Sequence, residues 1–321
     1  MIAAPSVILS HALPPADSPE MLEALTALPV PFVRQWLGES VRQHTLTTSA
    51  EDLVLPAEWA RAETLGWTSP HGTWPWAALS APLAPAPHAA SQSAWAFIRL
   101  CHWQVGNGQF TLLDPGPITQ EESNALMASM RTYFEEDGIT LQAHEPGRWL
   151  AQSSLFDGLA CASAERVMGL PIEPWLLGAH LPSLSPAIRT LRRLQNEMQM
   201  LLYQHPVNDA RLARGLQAVN AFWVHGAGQL PPNAKPTGVV QMIDRLRDSA
   251  LRGDVGAWRA AWQALDAQLP APDTPGLQLT LCSESSAQHW QAQPGKLLAR
   301  LRQVFSSPDT SATLRALLTN P

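Results

Sequence analysis

Residues 205–228 carry the densest set of side chains able to do chemistry in this chain. They read His205-Pro-x-Asn208-x-x-Arg211-x-x-x-Gly215-x-x-x-x-Asn220-x-x-Trp223-x-x-Gly226-x-Gly228. The chemistry they suit is the holding of an anion. Arg211 offers a planar fork that matches the oxygens of a phosphate or carboxylate. Asn208 falls where the sequence predicts a helix start, and free N–H groups with the helix dipole favour negative charge there. Gly226 and Gly228 follow a predicted strand and let a ligand approach the backbone closely. The candidate ligand contacts are therefore His205, Asn208, Arg211, Asn220, Gly226 and Gly228. The same residues also have a purely architectural use. Asn208 can cap a helix, His205 can be an ordinary turn residue before Pro206, Asn220 can bond the backbone inside a strand, and the glycines can form a turn.

Other reactive patterns are scarce. There is no G-x-S-x-G elbow, no phosphate-binding P-loop and no C-x-x-C. The ten histidines include no pair closer than the 14 positions between His88 and His102, so no H-x-x-H or H-x-x-x-H helix pair exists. Cys101 and His102 are adjacent on a predicted strand and point to opposite faces. No catalytic residue and no metal ligand is assigned on this basis. Arg189, Arg192 and Arg193 surround one helical turn, either as a solvent-facing stripe or as a contact for an acidic partner. Trp74 and Trp76 sit in a Pro-, Ala- and Ser-rich stretch, 68–91, read as a loop. They either pin that loop to a core or form a contact surface.

The elements that must position these groups are legible in part. A first buried strand is expected at Val7–Ser10. Ser18-Pro19-Glu20 starts a helix to Ala27, with further helices at Phe32–Trp36 and Pro56–Leu65. Residues 94–105 and 109–113 form a hairpin around Gly106-Asn107-Gly108. Thr119-Gln-Glu-Glu122 is a capping box opening a helix that Gly138 ends. Ile139–Ala143 and Arg148–Gln152 make a second hairpin. Ser185-Pro186 opens a long amphipathic helix on Ile188, Leu191, Leu194, Met198, Leu201 and Leu202, stopping near Gln204. A short helix at Asp209–Arg214, a strand at Val219–Val224 and a flexible loop at 225–228 follow. Helices at Val239–Arg247 and Val255–Leu269, a strand at Gln278–Cys282, and helices at Lys296–Phe305 and Thr313–Leu318 complete the expectation.

The 205–228 block resembles archaeal-type cofactor-independent phosphoglycerate mutases of the alkaline-phosphatase superfamily, in its Asn, Arg and closing Gly-x-Gly positions. More of the chain resembles bacterial RpfE-type regulatory proteins, through Cys101–Gly106, Leu113-Asp-Pro115, Leu191–Met200 and His205-Pro-Val-Asn208. The resemblance implies a mixed α/β fold (α+β). Residues 1–90 and 185–321 would form an alkaline-phosphatase-like α/β lobe, and 94–155 an inserted antiparallel ββαββ lobe. Such chemistry needs two metal ions to activate a Ser or Thr nucleophile. The family places Asp-Gly just after the first strand, where this chain reads Ser10-His11-Ala12. The expectation is therefore a non-catalytic cytoplasmic regulatory protein, without cofactor, that binds a phosphorylated small molecule or a protein partner. The alternative is an active phosphoglycerate mutase or phosphohydrolase with rearranged ligands, using Mn²⁺ or Mg²⁺.

The bulk numbers describe an ordinary globular chain and name no activity by themselves. The chain has 321 residues, 45% hydrophobic, 15% charged, and a net charge of −6. No basic stripe marks a nucleic-acid binder. No apolar run approaches the ~20 residues that span a bilayer, and Pro5 with no preceding Lys or Arg argues against a signal peptide. Three widely spaced cysteines, Cys101, Cys161 and Cys282, read as reduced, buried residues of a cytoplasmic protein.

Overall fold

The computed structural model describes residues 6–15, 18–27, 40–68, 73–81, 94–106, 108–230, 240–266, 268–270 and 276–292. The helices expected at Phe32–Trp36, Lys296–Phe305 and Thr313–Leu318 lie outside these residues. The chain divides into two units. Unit 1 comprises Met1–Glu51, Leu55–Thr68 and Lys235–Pro321, and unit 2 comprises Asp52–Val54 and Ser69–Ala234.

Unit 1 is built on β1 (Ser6–Leu9), whose four residues are all buried. A strand covered on both faces must be apolar throughout, and parallel neighbours are what such a strand takes. β1 pairs in parallel with β8 (Val240–Ile243) and with β9 (Gln278–Cys282). β10 (Ser286–Ala292) runs antiparallel on β9, and β2 (Ser40–Thr47) antiparallel on β10. The order is β2-β10-β9-β1-β8. One face packs on α1 (Pro19–Ala27) and α9 (Val255–Asp266), with Trp258, Trp262, Met21 and Leu25 against Val7, Leu9, Leu279 and Leu281. The other face sets Ile8, Cys282 and Ala287 on Ala57 and Ala60 of α2 (Pro56–Thr64).

Unit 2 is antiparallel. β3 (Trp95–Gly106) pairs with β4 (Gln109–Leu113) through its second half and with β6 (Arg148–Gln152) through its first. β5 (Thr140–Glu145) lies outside β6, and β7 (Ala221–Gly228) takes the remaining edge of β3. α4 (Gln120–Glu136) and α6 (Pro186–Tyr203) contribute Leu126, Met130, Phe134, Leu191, Leu194 and Met198 to a core completed by Ile98, Leu100, Trp149 and Val224. Both helices start as their sequences dictate: Thr119 and Glu122 form the reciprocal box, and the Ser185 hydroxyl accepts from the Ile188 N–H. α3 (Trp76–Ser80) falls in the stretch expected to be loop, and Trp74 and Trp76 are buried, as the pinning reading requires. α5 (Ala164–Val167) and α7 (Pro206–Ala213) complete the helices of this unit among the described residues.

The fold is mixed α/β with two sheets, and it departs from expectation in further places. Residues 240–243 form strand β8, not a helix, and the helix that follows, α8, is only Arg247–Leu251. The open parallel edge of β1 decides this, since local periodicity is weaker than a complete ladder. α7 begins at Pro206, capped by the His205 side chain, so Asn208 lies inside it. β7 runs on through His225–Gly228, because β3 is long enough to pair with it as far as Gly228. That pairing, with the packing of α6, places 185–234 in unit 2 with the two hairpins. The boundary therefore falls near 235 rather than at 185. No helix among the described residues is long and apolar enough to cross a membrane.

Ser123 ties α4 to the second hairpin. Its buried hydroxyl accepts from the Gly147 N–H at 3.1 Å and from the Trp149 indole N–H at 2.8 Å. Ser123→Ala leaves two buried donors unmatched, each costing about 1–3 kcal/mol. Urea unfolding of the variant is expected to show a loss of about 2–4 kcal/mol, and a loss below about 1 kcal/mol would refute this role.

Candidate functional site

The side chains singled out in the 205–228 block are bonded to the protein itself. Arg211 is fully buried. Its Nε donates to Gln217 O at 2.9 Å, Nη1 to Pro117 O and Glu122 Oε2 at 2.9 Å each, and Nη2 to Pro115 O at 2.6 Å. Glu122 also accepts from the Thr119 N–H and from Arg214. Burial pushes the Glu122 carboxyl up, but the Thr119 N–H and the two guanidiniums outweigh it and hold the group below its usual range. Asn208 donates to Leu202 O at 2.7 Å and Val219 O at 2.8 Å, and accepts from the Val219 N–H at 2.7 Å. Asn220 stands in for a strand residue beyond the end of β7, accepting from the Trp103 N–H at 2.7 Å and donating to Trp103 O at 3.0 Å. His205 accepts the Val207 N–H on Nδ1 at 3.2 Å, which leaves Nε2 protonated toward Ser129 Oγ at 2.9 Å. Gly226 has φ 60°, and a Cβ there would lie 3.2 Å from Phe97 and 3.3 Å from Trp76. Gly228 has φ 135° and faces Pro75. The glycines thus serve close packing on α3 and the residues before it.

Arg211 nevertheless bears on a site, because the carbonyls it holds belong to the wall of a cleft. This cleft in unit 2, about 430 Å³, is lined by Arg99, Asp114–Ile118 and Glu145–Arg148. Arg99 on β3 and Arg148 on β6 are cross-strand partners in the ladder, so two arginines stand side by side on the wall of the cleft. Arg99 donates to Asp114 Oδ2 at 3.1 Å and to Glu165 Oε1 at 3.3 Å. Arg148 donates to Glu145 Oε1 at 2.7 Å, lies 5.0 Å over the Phe97 ring, and has a buried Nε with no hydrogen-bond partner. Asp114 and Glu145 are each 55% exposed. None of the six residues of the 205–228 set lines this cleft, nor does any Ser, Thr or Cys.

Behind the arginines, on the same face of the sheet, His225 is buried with its Nδ1 4.0 Å from Glu165 Oε2 and its Nε2 without a hydrogen-bond partner. Burial pushes it down to about 4, the Glu165 carboxylate pulls it up, and Arg99 and Arg148 push it down again. It is therefore neutral at pH 7. Burial raises the Glu165 carboxyl, and charge from the protonated His225 ring at low pH, with Arg99, a backbone hydrogen bond and Arg148, outweighs that and sets it below its usual range. The set Arg99, Arg148, Glu165 and His225 was missed from sequence. The available signal was an Arg inside each of two otherwise apolar strands, Trp-Ala-Phe-Ile-Arg99-Leu-Cys and Arg148-Trp-Leu-Ala. A second cavity of about 470 Å³ in this unit is apolar, with Asp157 and His180 its ionisable lining groups.

In unit 1, the end of β1 is where the phosphoglycerate-mutase resemblance would place metal. Ser10 Oγ lies 2.9 Å from His11 Nδ1, His11 has φ 56°, and the His11 carbonyl accepts from the Trp258 indole. The group able to hold a metal ion among the described residues lies elsewhere: His44, Glu63 and His289, with ligand atoms within 4.8 Å of one another.

No family model and no curated protein matches the sequence. Among solved structures, a cofactor-independent phosphoglycerate mutase from Thermoplasma acidophilum DSM 1728 is similar at 13% identity and a TM-score of 0.34, over 92% of this chain and 90% of that one. The PH0037 protein from Pyrococcus horikoshii is similar at 12% identity and a TM-score of 0.43, over 92% and 88%. Neither overlap is close enough to carry an inference about this chain.

Two outcomes follow from the bonding. Arg211→Met abandons the Glu122 carboxylate and the carbonyls of Pro115, Pro117 and Gln217, and breaking a buried pair from one side costs about 3–5 kcal/mol. Urea unfolding is expected to show that loss, and a change under about 1 kcal/mol would remove Arg211 from this role. His225 has a folded value below the unfolded one, so its contribution is complete above pH 6.5 and is lost as the pH falls toward 4. Between pH 6.5 and 5 this amounts to about 2 kcal/mol. Unfolding free energies of the wild type and His225→Asn, taken at both pH values, are expected to differ in slope; equal slopes would contradict the assignment.

Proposed function

We propose that this protein is a non-catalytic binding protein of regulatory role, and that unit 2 takes up a small phosphorylated metabolite between Arg99 and Arg148. The observation that carries this is the juxtaposition of the two guanidiniums across paired strands on the wall of a cleft. Like charges side by side need counter-charge. Here Asp114 and Glu145 supply part of it, and both are more than half exposed. Exposed pairs of this kind are worth about 0–1 kcal/mol each. A phosphate dianion offering two oxygens to each fork makes stronger, shorter bonds and can displace them. Glu165 stays in place behind Arg99 and keeps its guanidinium aimed.

Ser10-His11 at the end of β1, where the resemblance requires an acidic metal ligand, favours binding over phosphoryl transfer. The resemblance of the 205–228 block to cofactor-independent phosphoglycerate mutases suggests a phosphoglycerate as the first ligand to try. The resemblance to RpfE-type proteins suggests the regulatory role. A reducing cytoplasmic setting suits Cys101, Cys161 and Cys282, all buried.

The test is thermal and chemical unfolding with 3-phosphoglycerate and with inorganic phosphate. A ligand at a hundredfold excess over its Kd stabilises by about 2.7 kcal/mol. That stabilisation is expected in the wild type and lost in Arg148→Gln and in Arg99→Gln. Stabilisation that survives both substitutions refutes the site. Turnover of phosphoglycerate with Mn²⁺ or Mg²⁺ refutes the non-catalytic reading.

A further inference from the structure

Unit 1 brings three ligand-bearing side chains together from three elements. His44 is on β2, Glu63 on α2 and His289 on β10. His44 and His289 are directly opposite in the antiparallel ladder, where side chains of paired residues share a face. Their rings stack with centroids 4.3 Å apart and planes 15° apart. Both Nε2 atoms turn to the same carboxylate: His44 Nε2 is 3.0 Å from Glu63 Oε1, and His289 Nε2 is 3.4 Å from Glu63 Oε2.

We infer that His44, Glu63 and His289 form a mononuclear site for a divalent transition ion of the zinc class. Two imidazoles and one carboxylate are a donor set that suits Zn²⁺, with a fourth position left to water. Bonds of about 2.0–2.2 Å at tetrahedral angles put ligand atoms about 3.3 Å apart, and Glu63 Oε2 already lies 3.2 Å from His44 Nε2 and 3.4 Å from His289 Nε2. His289 Nδ1 lies 3.1 Å from Thr280 Oγ1. With the ring proton placed on Nδ1 toward that oxygen, Nε2 presents a lone pair to the carboxylate. A hydrogen bond at the ring nitrogen away from the metal orients a metal-bound histidine in this way.

Nε2 of His289 is buried and makes no hydrogen bond. A buried lone pair facing a carboxylate is unfavourable, and a cation between them removes the conflict. Access is open, since the His44 and Glu63 side chains are 47% and 51% exposed.

The site does not depend on the anion-binding reading, and its test is separate. Untagged full-length protein, freed of metal with chelator, is titrated calorimetrically with Zn²⁺ alone. One equivalent is expected to bind, with affinity reduced at least tenfold in His44→Ala and in Glu63→Gln. Both replaced side chains are half exposed, so each variant is expected to fold, and its far-ultraviolet circular dichroism should match the wild type. Co²⁺ in place of Zn²⁺ is expected to give a visible d–d band without thiolate charge transfer, because the buried thiols of Cys101 and Cys282 are pushed far from ionisation. Unsaturable binding, or affinity changed less than twofold in both variants, overturns the assignment.

Discussion

A single buried charge organises unit 2. The Arg211 guanidinium is shut away from water, and an uncompensated ion in that position would cost far more than a domain has to give. It is compensated by three carbonyls and one carboxylate from three separate stretches of chain: Pro115 and Pro117, Gln217, and Glu122. Glu122 does double service. The oxygen that meets Arg211 also accepts the Thr119 N–H, so the capping of α4 and the neutralisation of Arg211 are one event. The segment 114–118 is thereby fixed between α4 and α7. Because that segment is also one wall of the cleft, the stability of the fold and the shape of the site rest on the same bonds.

β3 then supplies the other side of the argument. Its alternation sends Ile98 and Leu100 into the core under α4 and α6, and Phe97 and Arg99 to the opposite face. On that face Phe97 sits 5.6 Å from the His144 ring and 5.3 Å from the His225 ring, with the Arg148 guanidinium over it. An aromatic floor beneath a guanidinium favours its charge and fixes its plane. The apolar surroundings that hold Arg148 in place are also what keep His225 neutral. A strand that must satisfy two different faces has little freedom in sequence, and the placement of Arg99 within it is correspondingly informative.

What could be read from the sequence was local. Thr119 and Glu122, Ser185 and Pro186, and the turn glycines at 106 and 108 each encode their element within a few residues, and the structure contains those elements. What could not be read depends on a distant partner. Val240–Ile243 becomes a strand because β1 has an open parallel edge, and Ser286–Ala292 because β9 and β2 flank it. Arg211 and Asn208 advertise polar chemistry, and sequence alone does not show that backbone carbonyls already take up that chemistry. The opposite holds for Arg99 and Arg148. Each looks like a lone charge on a strand, and only the ladder makes them neighbours. The His44–Glu63–His289 group was invisible for the same reason: its members are 19 and 226 residues apart, and a bulge after His289 sets the register that pairs it with His44.

In unit 1 the sheet's geometry explains where polar chemistry can survive. β1 and β9 are covered on both faces, so their interior positions are apolar apart from Thr280, whose hydroxyl meets His289, and further polar groups sit at their ends. There Ser10 and His11 satisfy each other, and the left-handed turn at His11 returns the chain to the core through the Trp258 indole. β2 lies at the end of the strand order, and its exposed and half-exposed residues tolerate charge without a desolvation cost. β10, one strand further in, is the first position where a histidine is both sheltered and within reach of the edge. Thr280 supports it from the core side and Glu63 faces it from the helix. A donor set needs one sheltered ligand to fix its geometry and open ligands to admit an ion. The step from β9 to β10 to β2 provides that gradient, which the fully covered end of β1 does not.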